Sequence, residues 1–387
     1  MRVLVTASPG LGHMLPMVPI SWALRAAGHE VLLAMSGRSP EHVPMLAASG
    51  LHVVETGNHE RFTSLLDRAR GQVDVNAIQQ RIKEASRSGE FDRLTSVAVQ
   101  LFAPLSVAVA DAVVELADSW RPDLVLHSPL EGAGPLAAAK LGVPAVEQAF
   151  GLFSSAERSV RIAEALADTY HRHGVDGSPS RRGLLNVAPP SMGTPETGWS
   201  MRYVPYNGGG QLPDWLLQRP DRPRVVVTLG TVLPGFAGLG PLQWLADVAG
   251  DIDAEFVVTL GDADAAQLGA LPANVRPVSY TPLNALLATS AAVIHHGGSG
   301  STMTSLALGV PQLVVPQGAD QFHNAHEVAK RGVGFEVDTD VRAVDADDLT
   351  RLLTDTSLAA AAAEVQAEIA VLPVPAELVS RLEELVG

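Results

Sequence analysis

The chain has 387 residues, 47% hydrophobic and 18% charged, enough for two or three domains at roughly 150 residues each and too apolar for disorder. Its net charge of −15, from 27 basic and 42 acidic residues, argues against nucleic acid as a partner, because phosphate backbones are bound through clustered cations. There is no cysteine, which excludes a disulfide framework, a thiolate nucleophile and Cys-ligated zinc or iron–sulfur centres. Lys83, Lys140 and Lys330 are the only lysines and lie far apart in sequence, so no Walker-type or Schiff-base lysine stands out. The opening MRVLVTASPG reads as a first strand, not a signal peptide. Apolar stretches such as 303–315 are interrupted well short of the roughly 18 residues of a membrane span, so a cytoplasmic protein with no membrane span is expected.

The chain starts twice. RVLVT (2–6) is a β-rich run ending in a glycine loop, and the helical pattern PMVPISWALRAAG follows, closed by Gly28. RVVVT (224–228) repeats that opening, followed by LGT and a helix around 240–250. Strand-like runs recur at 30–34, 52–55, 123–126 and 143–146, then at 255–260, 275–278, 292–295 and 312–315. Strands alternating with helices predict βαβ units, and the apolar runs fit parallel strands covered on both faces. Residues 58–118 read as polar helices and loops over the first domain's cleft, 189–222 as a Pro/Gly-rich connection, and 374–386 as one amphipathic helix. The expected architecture is α/β, with two doubly wound, Rossmann-like domains face to face and a ligand cleft at the strand C-termini. Its divisions are an N-terminal domain at 1–207, a linker at 208–222, a C-terminal domain at 223–371, and a final helix at 372–387 packing back on the first domain.

Three glycine-rich places carry chemistry. In Ser8-Pro9-Gly10-Leu11-Gly12-His13, the dinucleotide fingerprint fails because Leu15 stands where the third glycine belongs and no acidic residue ends the second strand. What remains is His13, a titratable ring between a strand and a helix, either a loop residue or a general base. The second place, His295 to Thr302 (HHGGSGST), joins a strand to a helix. Its glycines let backbone N–H groups approach a ligand, and the helix N-terminus adds a positive dipole end, so it suits an anion. Either imidazole can donate N–H to a phosphate oxygen. In the third, Val315 to Asn324 (VPQGADQFHN), the adjacent Asp320 and Gln321 suit neighbouring sugar hydroxyls. One βα unit beyond a phosphate site, that loop reads as the sugar end of a sugar nucleotide.

At these residues the chain resembles the family-1, GT-B-fold glycosyltransferases of antibiotic biosynthesis, which use dTDP- or UDP-sugars. G-x-G-H-x-x-P (Gly10 to Pro16) looks like their catalytic-histidine loop, 295–322 resembles their donor signature, and Tyr280-Thr281-Pro282-Leu283 resembles their W-T-P-L base-binding turn. Met201 to Gly208 and Leu212-Pro213-Asp214-Trp215 resemble a segment of deoxysugar transferases acting on polyketides. The resemblance implies that His13 deprotonates the acceptor. It implies that His296 and the backbone of Gly298, Ser299, Gly300, Ser301 and Thr302 hold the diphosphate with Thr231. Tyr280 would stack on the base beside Leu283, and Asp320 and Gln321 would hold the sugar. Ser128 stands where many relatives carry the Asp that orients the catalytic histidine. Three explanations stay open: another acid such as Glu131 substitutes, the enzyme is weak or silent, or the acceptor is an acidic hydroxyl such as a phenol.

The implied reaction is inverting, metal-independent transfer of a deoxysugar from a dTDP-sugar to a hydroxyl of a polyketide-like aglycone, with no cofactor besides the co-substrate. A homodimer and an aromatic aglycone are further candidates. Competing readings are a D-x-D metal site (Asp262/Asp264, Asp251/Asp253, Asp338/Asp340 or Asp345/Asp347), a sugar-nucleotide epimerase of the same architecture, and a catalytically silent binding protein.

Overall fold

Each of the two similar openings becomes the central strand of a parallel sheet. In the computed structural model, all residues are described except 37–38, 58–59, 61, 63, 66–74, 89, 154–155, 178, 180, 194–197, 231–238, 262 and 319. Two units are present: Met1–Ala188 with Gly193–Gly208 and Val371–Gly387, and Pro189–Met192 with Gly209–Ala370.

The first unit carries β1 (Arg2–Thr6), β2 (Glu30–Ser36), β3 (His52–Gly57), β4 (Leu124–His127), β5 (Ala145–Gln148), β6 (Arg182–Asn186) and β7 (Trp199–Ser200). Their order is β3-β2-β1-β4-β5-β6-β7, and every pairing is parallel. All residues of β4 and β5 are buried, as expected of strands covered on both faces. Helices include α1 (Leu11–Met14), α2 (Val18–Ala26), α3 (Phe91–Trp120) and α4 (Ala133–Leu141). Residues Val3 to Thr6 pair with Leu124 to His127, so β1 and β4 end together. The strand order reverses there, and the loops after these strands leave the sheet side by side at the point where open α/β sheets bind ligands.

The second unit carries β8 (Arg224–Thr228), β9 (Glu255–Thr259), β10 (Val275–Val278), β11 (Ala292–His295), β12 (Gln312–Val314) and β13 (Gly334–Glu336), ordered β10-β9-β8-β11-β12-β13. Its helices include α5 (Ser299–Leu308), α6 (Gln321–Arg331) and α7 (Thr356–Ala370). Thr228 and His295 are register partners, so β8 and β11 also end together at the reversal of strand order. The Leu-Pro-Asp-Trp stretch seats itself at the other end of this sheet. Trp215 lies 5.0 Å from the guanidinium of Arg224 and 5.0 Å from that of Arg276, and both Arg side chains pair with Glu255. The chain then returns to the first unit, where a 3₁₀ turn at Pro375–Leu378 precedes α8 (Val379–Val386).

Several expectations need correction. The 58–118 region is not uniformly polar: α3 within it is long and apolar enough to cross a membrane by length and composition. Its Ala103, Leu105, Val109, Val113 and Ala117 are buried in the first unit's core, packing that accounts for the apolarity. The 374–386 segment is a 3₁₀ turn plus a helix, because Pro375 opens a tighter turn than the α-helix. The 240–250 helix is the short Trp244–Val248 flanked by 3₁₀ turns. The Pro/Gly-rich 189–222 stretch contributes Trp199–Ser200 as an edge strand.

Candidate active site

In the second unit, six parallel strand ends stand in a row. The chain leaves β8 as Leu229-Gly230, and it leaves β11 as His296-Gly297-Gly298 before entering α5. The His296 imidazole lies against two glycines. A Cβ at Gly230 would sit 2.5 Å from its Cε1, and one at Gly298 would sit 2.4 Å from its Nε2. Burial pushes this ring's pKa down to about 4, offset in part by its hydrogen bond with the Thr228 backbone, so at neutral pH it is a neutral imidazole.

His295 does different work. Its Nδ1 accepts the Gly297 N–H at 3.0 Å, which fixes the proton on Nε2, and Nε2–H donates to Gln312 Oε1 at 2.8 Å. Burial, with the neighbouring His296, pushes its pKa down to about 3. The Gly297 amide is therefore engaged and is not offered to a ligand. Thr302 N–H is engaged too, donating to Gly298 O at 3.0 Å. The amides of Ser299, Gly300 and Ser301 precede this first helical bond, and a helix start leaves such groups without intrahelical partners. With the α5 dipole they offer a corner beside His296 that suits an anion.

The loop after β12 closes on itself. Gln321 Oε1 accepts the Gln317 N–H at 2.8 Å and the Gly318 N–H at 3.1 Å, so its carbonyl shapes the loop and its amide N–H groups are what a sugar hydroxyl would meet. Asp320 is exposed, and its Oδ2 accepts the Ser299 hydroxyl at 2.6 Å, tying the two loops together. Tyr280 follows β10 and is exposed, with Leu283 opening the helix Leu283–Leu287 just beyond. Tyr280 stands three strand steps from the His296 loop, about 14 Å at 4.8 Å per step. A base, diphosphate and sugar laid along the carboxyl edge would meet these groups in that order. Thr231 lies outside the described residues.

In the first unit, Gly10 takes φ 132° just before α1, which carries His13 on the loop after β1. The His13 ring is partly exposed, 4.8 Å from the Phe150 ring edge-on and 5.2 Å from the Phe102 ring. Gln148, at the end of β5, donates to Pro16 O at 2.7 Å and anchors the same loop. Ser128 is fully buried; its Oγ accepts the Ser8 N–H at 3.2 Å and faces Pro129 O at 3.3 Å. The loops after β1 and β4 are thus tied together by Ser128, a structural duty that the sequence alone did not reveal.

Glu131, the candidate replacement acid, serves the start of α4. Its Oε1 accepts the Ala133 N–H at 2.7 Å and its Oε2 accepts the Thr6 hydroxyl at 2.6 Å. Burial raises its pKa, with the Thr6, Gly134 and Ala133 hydrogen bonds opposing. Both its oxygens have local partners, so the carboxylate is a helix-start anchor. One aspartate of each pair proposed for a metal has a local partner. Asp264 caps the turn at Ala266, Asp338 accepts the Asp340 N–H, Asp345 caps the helix Ala346–Thr354, and Asp253 pairs with Arg222. Asp262 lies outside the described residues. Among the described residues no three His, Asp or Glu side chains converge.

Comparison with known proteins agrees with this fold. Residues 22–230 match the N-terminal domain, and 243–385 the C-terminal domain, of the family described as erythromycin biosynthesis protein CIII-like. The chain is 41% identical to the elloramycin glycosyltransferase ElmGT of Streptomyces olivaceus, covering 100% of this chain and 98% of the relative. It is similar to the crystal structure of the glycosyltransferase SnogD from Streptomyces nogalater, with 39% identity, a TM-score of 0.82 and coverage of 100% of this chain and 99% of that one. It is also similar to the spinosyn rhamnosyltransferase SpnG complexed with thymidine diphosphate, at 32% identity and a TM-score of 0.80, covering 99% and 100% of the two chains. The two Rossmann-like parallel-sheet units are those of the GT-B glycosyltransferases.

Proposed function

The chain belongs to the erythromycin biosynthesis protein CIII-like family and is a glycosyltransferase, and we propose that it moves a deoxysugar from a thymidine-diphosphate sugar to a hydroxyl of a polyketide-like aglycone. The observation that carries this reading is His296, seated against Gly230 and Gly298 beside the first amides of α5. In this role its neutral N–H and those amides point at the oxygens of the leaving diphosphate, where charge develops as the glycosidic bond breaks. SpnG, similar along its whole length, is a rhamnosyltransferase complexed with thymidine diphosphate, which supports the choice of nucleotide. Tyr280 takes the base with Leu283, and Asp320 with the Gln321 amide takes the sugar hydroxyls. Thr231 is assigned to the diphosphate by resemblance.

His13 is the proposed base. Its imidazole takes the proton of the acceptor hydroxyl, the oxygen attacks the anomeric carbon, and the diphosphate leaves from the opposite face with inversion. Phe102 and Phe150 flank the ring and suit an apolar, aromatic acceptor. Ser128 and Glu131 have other partners, and an acidic acceptor hydroxyl, which gives up its proton readily, eases the transfer to His13. The donor set proposed for the diphosphate consists of neutral N–H groups, which suits an anion without a bridging metal. The reading includes a cytoplasmic enzyme using no cofactor beyond its co-substrate.

A panel of thymidine- and uridine-diphosphate sugars, read by thermal shift and by hydrolysis, tests the donor assignment. Ligand at about 100 times its Kd stabilises the folded state by about 2.7 kcal/mol, enough for a clear rise in midpoint. Thymidine compounds are expected to raise it. No response to them, or an equal response to the uridine series, contradicts the assignment.

A further inference from the structure

The Gly297 turn is held from both sides by residues that no ligand contact explains. Gly297 has φ +88°, and a Cβ there would lie 2.8 Å from Val314 Cγ1 and 2.9 Å from Gln321 O, so only glycine fits. Its N–H donates to His295 Nδ1 at 3.0 Å, and its carbonyl accepts the Asn324 amide at 2.8 Å. With the peptide on each side bonded, neither φ nor ψ of Gly297 can turn independently, and the direction in which α5 presents its first amides is set. His295 and Asn324 are each 1% exposed, so both clamps work out of contact with water. Asn324 reaches further. Its Nδ2 lies 3.2 Å from Asp320 Oδ2 and 3.3 Å from Ser299 Oγ, and it stands on α6, which follows the sugar loop.

We propose that His295 and Asn324 are positioning residues of the donor site, locking the Gly297 turn so that the α5 amides and Asp320 keep one mutual geometry. The inference rests on the reading of that edge as the site of a nucleoside-diphosphate sugar. Gln312 completes the device by accepting from Nε2–H, which keeps the His295 proton off Nδ1, the atom that must accept from Gly297. A His295 with its proton on Nδ1 would lose the Gly297 bond.

The test uses the full chain, with thymidine diphosphate binding measured by calorimetry well below each variant's melting point. His295→Leu cannot accept the Gly297 N–H and leaves it buried without a partner, which predicts binding weaker by about 10-fold or more. His295→Asn puts a side-chain oxygen near the place of Nδ1 and is expected to stay within about threefold of the wild type. Asn324→Asp keeps the shape, removes the donor and sets a carboxylate against the Gly297 carbonyl and Asp320. It is expected to lose binding by about 10-fold while remaining folded. Nitrogen NMR of the wild type should show His295 as the neutral Nε2–H tautomer from about pH 5 to pH 8, as a pKa near 3 requires. If His295→Leu does not fold, His295→Asn and Asn324→Asp decide. A folded Asn324→Asp that binds like the wild type, or a His295→Asn with a 10-fold loss, overturns the clamp and leaves the donor reading standing. A wild type that binds no thymidine diphosphate overturns the donor reading itself.

Discussion

Gly298→Ala isolates His296 from the rest of the donor site. Gly298 has φ −61° and ψ 144°, a region open to any residue, so alanine meets no backbone strain there. Alanine restricts the unfolded chain, worth about 0.4–1 kcal/mol in favour, and is a poorer helix N-cap than glycine by a comparable amount. The net effect on stability is expected to be small. The effect on the imidazole is not: the new Cβ would lie 2.4 Å from His296 Nε2 and 3.0 Å from Cε1. Contacts between such atoms settle near 3.5 Å, so the ring must withdraw by about 1 Å. A preorganised N–H displaced from a developing oxyanion costs about 2.7–4 kcal/mol, or 10²–10³ in rate. Gly298→Ala is therefore expected to match His296→Ala in its loss of kcat/KM for the donor, measured by chromatographic detection of the glycoside, at an unchanged melting temperature. The double variant should lose no more than His296→Ala alone, because no ring remains to collide with the methyl group. A Gly298→Ala enzyme within threefold of the wild type, or additive losses in the double variant, would refute the seating of His296 as the source of its role.

Removing the proposed base by His13→Ala should cost about 10²–10⁴ in turnover while thymidine diphosphate binding is retained; turnover within threefold returns His13 to a packing role. Between a phenolic and an aliphatic acceptor, the wild type should prefer the phenol, and Ser128→Asp should help the aliphatic alcohol more; an aliphatic preference, or an equal effect on both, contradicts the acidic-acceptor reading. Stability should fall as pH drops from about 6.5 towards 4. His127, His295 and His296 have folded pKa values of about 4, 3 and 4 against 6.5, so in that window the unfolded chain binds more protons, by up to about 1.4 kcal/mol per pH unit for each ring. Glu131, pushed up from 4.5, acts in the opposite sense as one group against three. Urea unfolding between about pH 7 and pH 5 checks the sign, and a flat or inverted dependence contradicts it.

Much of the fold was legible because buried parallel strands are written as apolar runs. Val225 to Val227 and Leu124 to Leu126 announce themselves by composition. β6, β7 and β13 do not. β6 is RGLLN with an exposed arginine and a glycine, β7 has two residues, and β13 is GFE. Gly334 reads as a strand breaker, yet a Cβ there would lie 1.9 Å from Gln312 O, so only glycine lets β13 approach its neighbour. The glycine loop and its two histidines pointed to an anion site in the sequence, but the different contacts of the two rings were not legible. That His295 engages Gly297 while His296 lies against Gly230 depends on atoms brought together across separate strand ends. Ser128 shows the same limit: its residue type indicated a missing carboxylate, and only the fold revealed its bond to Ser8. Asn324 carried one signal that could have found it, its place one helical turn after Asp320, where i and i+4 side chains meet.

We propose that this chain transfers a sugar from a thymidine-diphosphate donor by a single displacement without a metal. One measurement addresses it directly: purified protein, a thymidine-diphosphate deoxysugar, a hydroxylated aromatic polyketide and excess EDTA, with the product's anomeric configuration read by NMR. Glycoside is expected to form in step with thymidine diphosphate release, with the anomeric centre inverted and the rate unchanged by EDTA. Donor consumed without glycoside, a retained configuration, or activity abolished by EDTA and restored by a divalent cation would contradict it.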